Sequence, residues 1–226
     1  MTTFVLVHGA WGGSYSFRKV RPSLHGAGHE VFTPSLTGLG ERAHLTGPQV
    51  DLSTHVRDVV NVVRYEDLRD IVLLGFSYGG MVVTGALAHI GDRVRELVYL
   101  DAFVPDDGES LSSITGRYAV PDEFGTSWQV PPLRREYDVA DFLVERDNPQ
   151  PRASLTEPVK LGTPLEEQPF GLTYIRATDG SDAPAFVAAA ARARASSAWR
   201  YHEIDTNHFV AENRPQELTE VLLTLG

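Results

Sequence analysis

The sequence contains no cysteine. That excludes disulfides, thiolate metal sites and a cysteine nucleophile. Positive charge is scarce: 20 basic residues face 30 acidic ones, for a net charge of −10. Nearly all of the basic residues are arginine, and they form no polybasic cluster. This balance argues against nucleic acid or an anionic membrane as the main partner. No apolar run approaches the roughly 18 residues that a bilayer-spanning helix requires. Met1-Thr2-Thr3 leads directly into a strand-like run, without the charged start and long apolar stretch of a signal peptide. The expectation is a soluble, cytoplasmic globular protein with no membrane or nucleic-acid partner; nothing in the sequence bears on oligomeric state. At 226 residues the chain can bury roughly 70% of its unfolded surface without covalent staples. It reads as one domain with a sizeable insertion.

What is present is an alternation of short apolar runs and helical patterns. Phe4–Val7, Glu30–Thr33, Ile71–Leu74 and Leu97–Leu100 are strand candidates, with weaker ones at Leu172–Ile175 and Tyr201–Ile204. Near-continuous apolar strands fit a parallel sheet covered on both faces. Between them, Val56, Val59, Val60 and Val63 follow helical spacing, with Ser53 or Thr54 placed to cap. Met81–His89 is a short apolar helix, and eight alanines lie between Ala183 and Ala195. Asn213-Arg214-Pro215-Gln216 reads as an N-cap, an early proline and a capping-box glutamine. The fold class expected is α/β: a mostly parallel six-stranded sheet flanked by helices, with right-handed crossovers. Residues 104–169 break the rhythm. They hold nine of the fourteen prolines and 13 acidic against 6 basic side chains, with no strong strand. Leu111, Phe124, Trp128, Leu133, Tyr137, Phe142 and Leu143 argue against a disordered linker. We read 104–169 as an inserted cap on a core of 1–103 and 170–226.

The strongest chemical signal is Gly75-Phe76-Ser77-Tyr78-Gly79-Gly80, between a strand candidate and a helix candidate. Gly-x-Ser-x-Gly in that context is a nucleophile elbow, a turn too sharp for Cβ atoms beside the serine. It would lift the Ser77 hydroxyl out of the sheet and aim the Tyr78 N–H and the positive helix end at the same point. A second donor for a developing oxyanion is expected from the loop His8-Gly9-Ala10-Trp11-Gly12-Gly13, at Ala10. No Gly-x-Gly-x-x-Gly or Gly-Lys-Ser/Thr follows, which argues against nucleotide binding. His8 itself reads as structural. The general base should be a late histidine. His208, in Asp205-Thr206-Asn207-His208-Phe209 between the last strand and last helix, is the candidate, because ligands bind at the carboxyl ends of parallel strands. For the acid that orients it, Asp179 is the leading candidate after the strand at 172–177. Asp101, ending the fourth strand, could also reach the imidazole. Asp182 has a helix-capping position and Asp205 a turn-shaping one.

Together, Val5-Leu6-Val7-His8-Gly9-Ala10-Trp11, Leu36-Thr37-Gly38-Leu39-Gly40-Glu41-Arg42, the Ser77 motif, Tyr99-Leu100-Asp101-Ala102-Phe103 and Asn207-His208 resemble the α/β-hydrolase superfamily. Within it, they are most similar to the small cap-bearing group of plant-type methylesterases, hydroxynitrile lyases and bacterial esterases. The resemblance implies a Ser77–His208–Asp179 triad, an Ala10/Tyr78 oxyanion hole and no cofactor. Asp179 follows Thr178 directly, whereas the family acid sits two or three residues after the matching threonine. Hydroxynitrile lyases of the group carry a lysine after the catalytic histidine and a threonine in the first-strand loop; here Phe209 and Gly9-Ala10 stand there. The expected activity is hydrolysis of small to medium neutral carboxylic esters through an acyl-enzyme. The alternatives are a cofactor-independent lyase or acid–base enzyme, and a non-catalytic ligand-binding protein. Trp11, Phe76, Phe103, Phe124, Trp128 and Phe209 are candidate substrate-binding walls. Arg42 and His44 read as structural ion-pairing residues.

Overall fold

The computed structural model describes residues 1–133, 137–179 and 183–226. Eight strands are described: β1 (Thr3–Val7), β2 (Glu30–Phe32), β3 (Ile71–Phe76), β4 (Val94–Leu100), β5 (Gln129–Val130), β6 (Gln150–Pro151), β7 (Gly171–Ala177) and β8 (Trp199–Ile204). Six of them form one sheet in the order β2-β1-β3-β4-β7-β8, and every pairing in it is parallel. The helices are α1 (Arg21–Gly26), α2 (Leu52–Tyr65), α3 (Gly79–Ile90), α4 (Leu111–Thr115), α5 (Asp141–Val144), α6 (Arg152–Thr156), α7 (Pro184–Ala195), α8 (Val210–Asn213) and α9 (Pro215–Thr224).

Strand side chains alternate between two cores, because successive Cβ atoms point to opposite faces of a sheet. Val5, Val7, Leu73, Leu97, Tyr99 and Tyr174 join the buried faces of α2, α3 and α7. Phe4, Leu6, Val72, Leu74, Val98 and Ile175 join Leu24 of α1 and Leu218 and Leu222 of α9. Double coverage is why these strands read as continuous apolar runs rather than alternating ones. On α2 the buried residues Leu52, Val56, Val59, Val60 and Val63 recur at helical spacing.

Two local expectations, both of helix caps, are corrected. The cap of α2 is Asp51, whose Oδ1 accepts from the Thr54 N–H at 2.7 Å; Ser53 instead donates to Glu157 from both backbone and side chain. Arg214, not Asn213, is the N-cap of α9, because the Asn213 side chain is engaged by Thr206 and Asn207. Asp182 lies outside the described residues, and α7 begins after Ala183, which makes no side-chain cap. The segment between β4 and β7 is built from α4, α5, α6 and an antiparallel pair of two-residue strands, β5 and β6, consistent with the lack of a strong strand signal there. Among the described residues no helix is long and apolar enough to cross a membrane.

Candidate active site

In a parallel sheet all strands end at one edge, so the loops after β1, β3, β4, β7 and β8 converge there. Ser77 occupies the turn from β3 to α3 at φ 54°. Its backbone is pinned on both sides: its N–H donates to the Leu100 carbonyl at 3.2 Å, and its own carbonyl accepts from Gly80 at 3.0 Å and Phe103 at 3.2 Å. The flanking glycines follow from space. A Cβ on Gly75 would lie 2.6 Å from the Gly79 oxygen, and one on Gly79 would lie 2.5 Å from the Val7 oxygen. Among the described residues, six non-glycine positions have positive φ; four of them are Trp11, Ser77, Asp101 and Tyr118. Such backbone costs of order 1–3 kcal/mol each and persists only where its surroundings over-determine it.

Ser77 and His208 line one cavity of about 490 Å³. The His208 Nδ1 is 2.7 Å from Asp101 Oδ2. A carboxylate only accepts, so Nδ1 carries the proton and the imidazole keeps Nε2 as its basic nitrogen. Asp101 is fully buried. Its Oδ1 accepts from Arg176 Nη1 at 2.5 Å and from the Ala177 N–H at 3.2 Å. The register explains the pairing: Leu100 lies opposite Ile175, which puts Asp101 across from Arg176. Asp179, the acid expected from sequence, is exposed; its N–H donates to the Thr206 carbonyl at 3.0 Å. The carboxylate facing His208 is therefore Asp101 and not Asp179. A fully apolar strand end closing on an aspartate, with a lone arginine in the neighbouring apolar strand, was the signal available for it.

His208 is held by its turn and by rings. Asn207 Nδ2 donates to the Asp138 carbonyl at 3.0 Å, while its Oδ1 accepts from the Phe209 N–H at 3.1 Å. The Phe186 ring stacks on the imidazole at 5.2 Å and 17°, and Phe76 lies 4.7 Å from it. Phe186 was not foreseen; it sits in the alanine-rich helix, where its single ring was the only hint.

Ala10 and Tyr78 both line the cavity. The loop carrying Ala10 rests on His8, which is fully buried. His8 Nδ1–H donates to the Gly9 carbonyl at 2.8 Å, and Nε2 accepts from the Leu36 N–H at 3.0 Å. Burial pushes its pKa down to about 4, so the ring is a neutral strut, as the sequence suggested. Burial likewise lowers the pKa of His55. The Tyr78 hydroxyl lies 2.9 Å from His55 Nδ1 and 3.2 Å from the Ser154 carbonyl. Arg42 pairs with Asp58 at 2.9 Å.

Trp11, Phe76, Phe103 and Phe209 line the cavity, but Phe124 and Trp128 do not. Phe124 stacks behind Tyr118 at 6.3 Å, and Trp128 is 40% exposed. The β4–β7 segment supplies other walls instead, among them Leu111, Ile114, Tyr118, Leu133 and Tyr137. No cluster of potential metal ligands occurs among the described residues.

A strand–serine–helix elbow on an all-parallel sheet, with a carboxylate-anchored histidine at the same edge, defines a class, and comparison with known proteins agrees. The alpha/beta hydrolase family model matches residues 4–221, and the chain belongs to that family. It is 37% identical to the carbendazim hydrolyzing esterase of Nocardioides sp. (strain SG-4G), with all of both chains covered. It is 28% identical to methylesterase 2 of Arabidopsis thaliana over 51% of this chain and 45% of that one. Among solved structures, an extracellular alpha/beta-hydrolase from a Paenibacillus species superposes with a TM-score of 0.78 at 21% identity, covering 100% of this chain and 99% of the other. Family and relatives together place the chain among hydrolases with esterase kin.

Proposed function

We propose that this protein is a serine esterase acting on small to medium neutral carboxylic esters, with Ser77 as nucleophile, His208 as general base and Asp101 as the acid that orients it. The carrying observation is that His208 shares the Ser77 cavity while its Nδ1 is committed to Asp101 at 2.7 Å. His208 Nε2 takes the Ser77 hydroxyl proton as Oγ attacks the ester carbonyl. The Ala10 and Tyr78 N–H groups receive the oxyanion. Collapse of the tetrahedral intermediate expels the alcohol, which leaves with the proton from His208. Water then repeats the cycle on the acyl-enzyme and releases the carboxylic acid and free Ser77. Residues 104–169 act as the cap that closes the substrate cavity. Its largely apolar and aromatic walls suit an uncharged substrate. Hydrolysis of carbendazim by the relative matched along its full length makes that compound a first substrate to try beside p-nitrophenyl esters.

The test is steady-state hydrolysis of p-nitrophenyl acetate and butyrate, with fluorophosphonate labelling read by mass spectrometry. Wild type should turn over the esters and label at Ser77; Ser77→Ala should lose labelling and lose kcat by about 10⁴-fold or more. Labelling at Ser77 without ester turnover would instead favour an acid–base or ligand-binding role.

A further inference from the structure

The loop that presents Ala10 is not held by the sheet alone. Trp11, next to Ala10, sits at φ 61°, a conformation a tryptophan rarely adopts. Three hydrogen bonds restrain it, all from the β4–β7 segment. Its N–H donates to Gln150 Oε1 at 3.1 Å, its carbonyl accepts from the Asn148 N–H at 2.8 Å, and its indole Nε1–H donates to the Val130 carbonyl at 3.1 Å. Gln150 is fully buried. Its other end donates from Nε2 to Ser154 Oγ at 2.7 Å, and Ser154 Oγ–H donates onward to the Pro151 carbonyl at 2.7 Å. The carbonyl of the same Ser154 lies 3.2 Å from the Tyr78 hydroxyl. One chain of hydrogen bonds, from the Trp11 N–H through the Gln150 side chain to Ser154 and from the Ser154 carbonyl to the Tyr78 hydroxyl, thus joins the two residues whose neighbourhoods supply the oxyanion donors, and its middle lies wholly in the cap.

We propose that Gln150 is a positioning residue for the oxyanion hole: its carboxamide holds the Ala10–Trp11 loop in its strained working geometry, so the hole is complete only when the cap is seated. This rests on the reading of Ser77 as an esterase nucleophile. The physical reason is that a left-handed tryptophan relaxes once the acceptor of its N–H is removed. Even a small displacement of the neighbouring Ala10 N–H weakens a donor aimed at where charge develops. Gln150 does not line the cavity, so it acts through the loop rather than by contact with substrate. The carboxamide is also the right group for the position. It accepts from Trp11 and donates to Ser154 at once, which neither a carboxylate nor an aliphatic side chain of that size does.

The experiment compares wild type, Gln150→Leu and Ser154→Ala, with kcat expressed per Ser77 labelled by fluorophosphonate and folding followed by thermal melting. Two ligands are titrated: a trifluoromethyl ketone, whose hydrate-like adduct at Ser77 needs the oxyanion hole, and the matching unreactive methyl ether, which does not. Gln150→Leu should lower kcat per labelled site by about 10–100-fold, part of the ~10²–10³ that one lost oxyanion donor costs. KM should stay within about threefold, since the lost interaction is one made only in the transition state. Affinity for the ketone should fall by the same factor as kcat/KM, and affinity for the ether should not move. Ser154→Ala, which frees the far end of Gln150, should shift kcat and ketone affinity together in the same direction by a smaller factor, and it carries the test if Gln150→Leu does not fold. The proposal is overturned if a folded variant keeps wild-type kcat per labelled site, or loses kcat with ketone affinity intact. Failure of the wild-type protein to hydrolyse any ester would bring down the esterase reading first, and this inference with it.

Discussion

The sheet with its flanking helices and the segment between β4 and β7 are held together by different means. In the former, buried residues are mostly apolar and the strands bond one another continuously. Among the buried polar groups there, His8, Asp101 and Arg176 sit at the site's edge of the sheet or support it, while others, such as Glu96 with Thr173, pair with each other elsewhere in it. In the latter, a buried arginine is the hub. Arg152 donates to the Ser127 carbonyl at 2.6 Å, the Tyr118 carbonyl at 2.8 Å and Asp122 Oδ2 at 2.7 Å. Loops rich in proline cannot bond one another as strands do, so a five-donor side chain satisfies their carbonyls. The contrast divides the labour. The sheet half fixes the backbone that carries Ser77 and Asp101, both held at positive φ. The segment sets the shape of the cavity through replaceable side chains. Gln150 is one of the places where the two meet.

Substitutions can break this division or sharpen it. The largest effect is expected at the acid. Asp101→Asn should lower kcat by about 10⁴-fold, because Arg176 and the Ala177 N–H hold the amide oxygen, so the amide NH2 faces Nδ1, donates to it and leaves the imidazole proton on Nε2. Asp179→Asn, at an exposed site, should leave kcat within about twofold. Steady-state kinetics on the two proteins decides; comparable losses, or the reverse order, would return the acid to the β7 loop.

The next effect is on stability and belongs to the sheet half. His8 binds its proton with a pKa near 4 in the folded protein against an ordinary 6.5. Below pH 6.5 the unfolded chain therefore takes up a proton that the folded one refuses. Stability is full above that pH and falls as acid is added, until about pH 4. The loss amounts to on the order of 3 kcal/mol from this group alone, and His55 contributes with the same sign. Denaturant midpoints at pH 7 and pH 4.5 measure it. An unchanged midpoint would contradict the buried neutral ring.

The smallest effect should come from the segment. Ile114, a cavity wall, can be enlarged without touching Ser77 or His208. Ile114→Phe should reduce kcat/KM for a hexanoate ester by roughly tenfold, through KM, and spare the acetate ester. A uniform loss of kcat on both esters would mean that this wall also sets the position of reacting atoms, against the division drawn above.

Much of the fold was legible because its causes are local. Apolar runs of strand length, the valine spacing of α2 and the alanines of α7 each announce an element within a few residues. Boundaries were less legible. Gly75 reads as a strand terminator, yet β3 continues through it to Phe76, because β1 and β4 both continue to pair alongside it. Asp51 outcompetes Ser53 as a cap because Glu157, about a hundred residues away in sequence, occupies the serine.

The placement of Ser77, Ala10 and Tyr78 at one cavity was written into short stretches of chain. A tight strand-to-helix bend tolerates only glycine beside it, and that requirement is visible wherever the strand, bend and helix occur together. His208 was legible for a related reason, since it closes the last strand of a parallel sheet. Which aspartate meets it was decided only in three dimensions. Each strand of such a sheet delivers its following residue to the same edge, so Asp101 and Asp179 are alike in sequence; strand order and register bring one beneath the imidazole, beside Arg176, and leave the other in water. The cavity walls were decided the same way, by how a proline-rich segment with no regular period folds back over that edge.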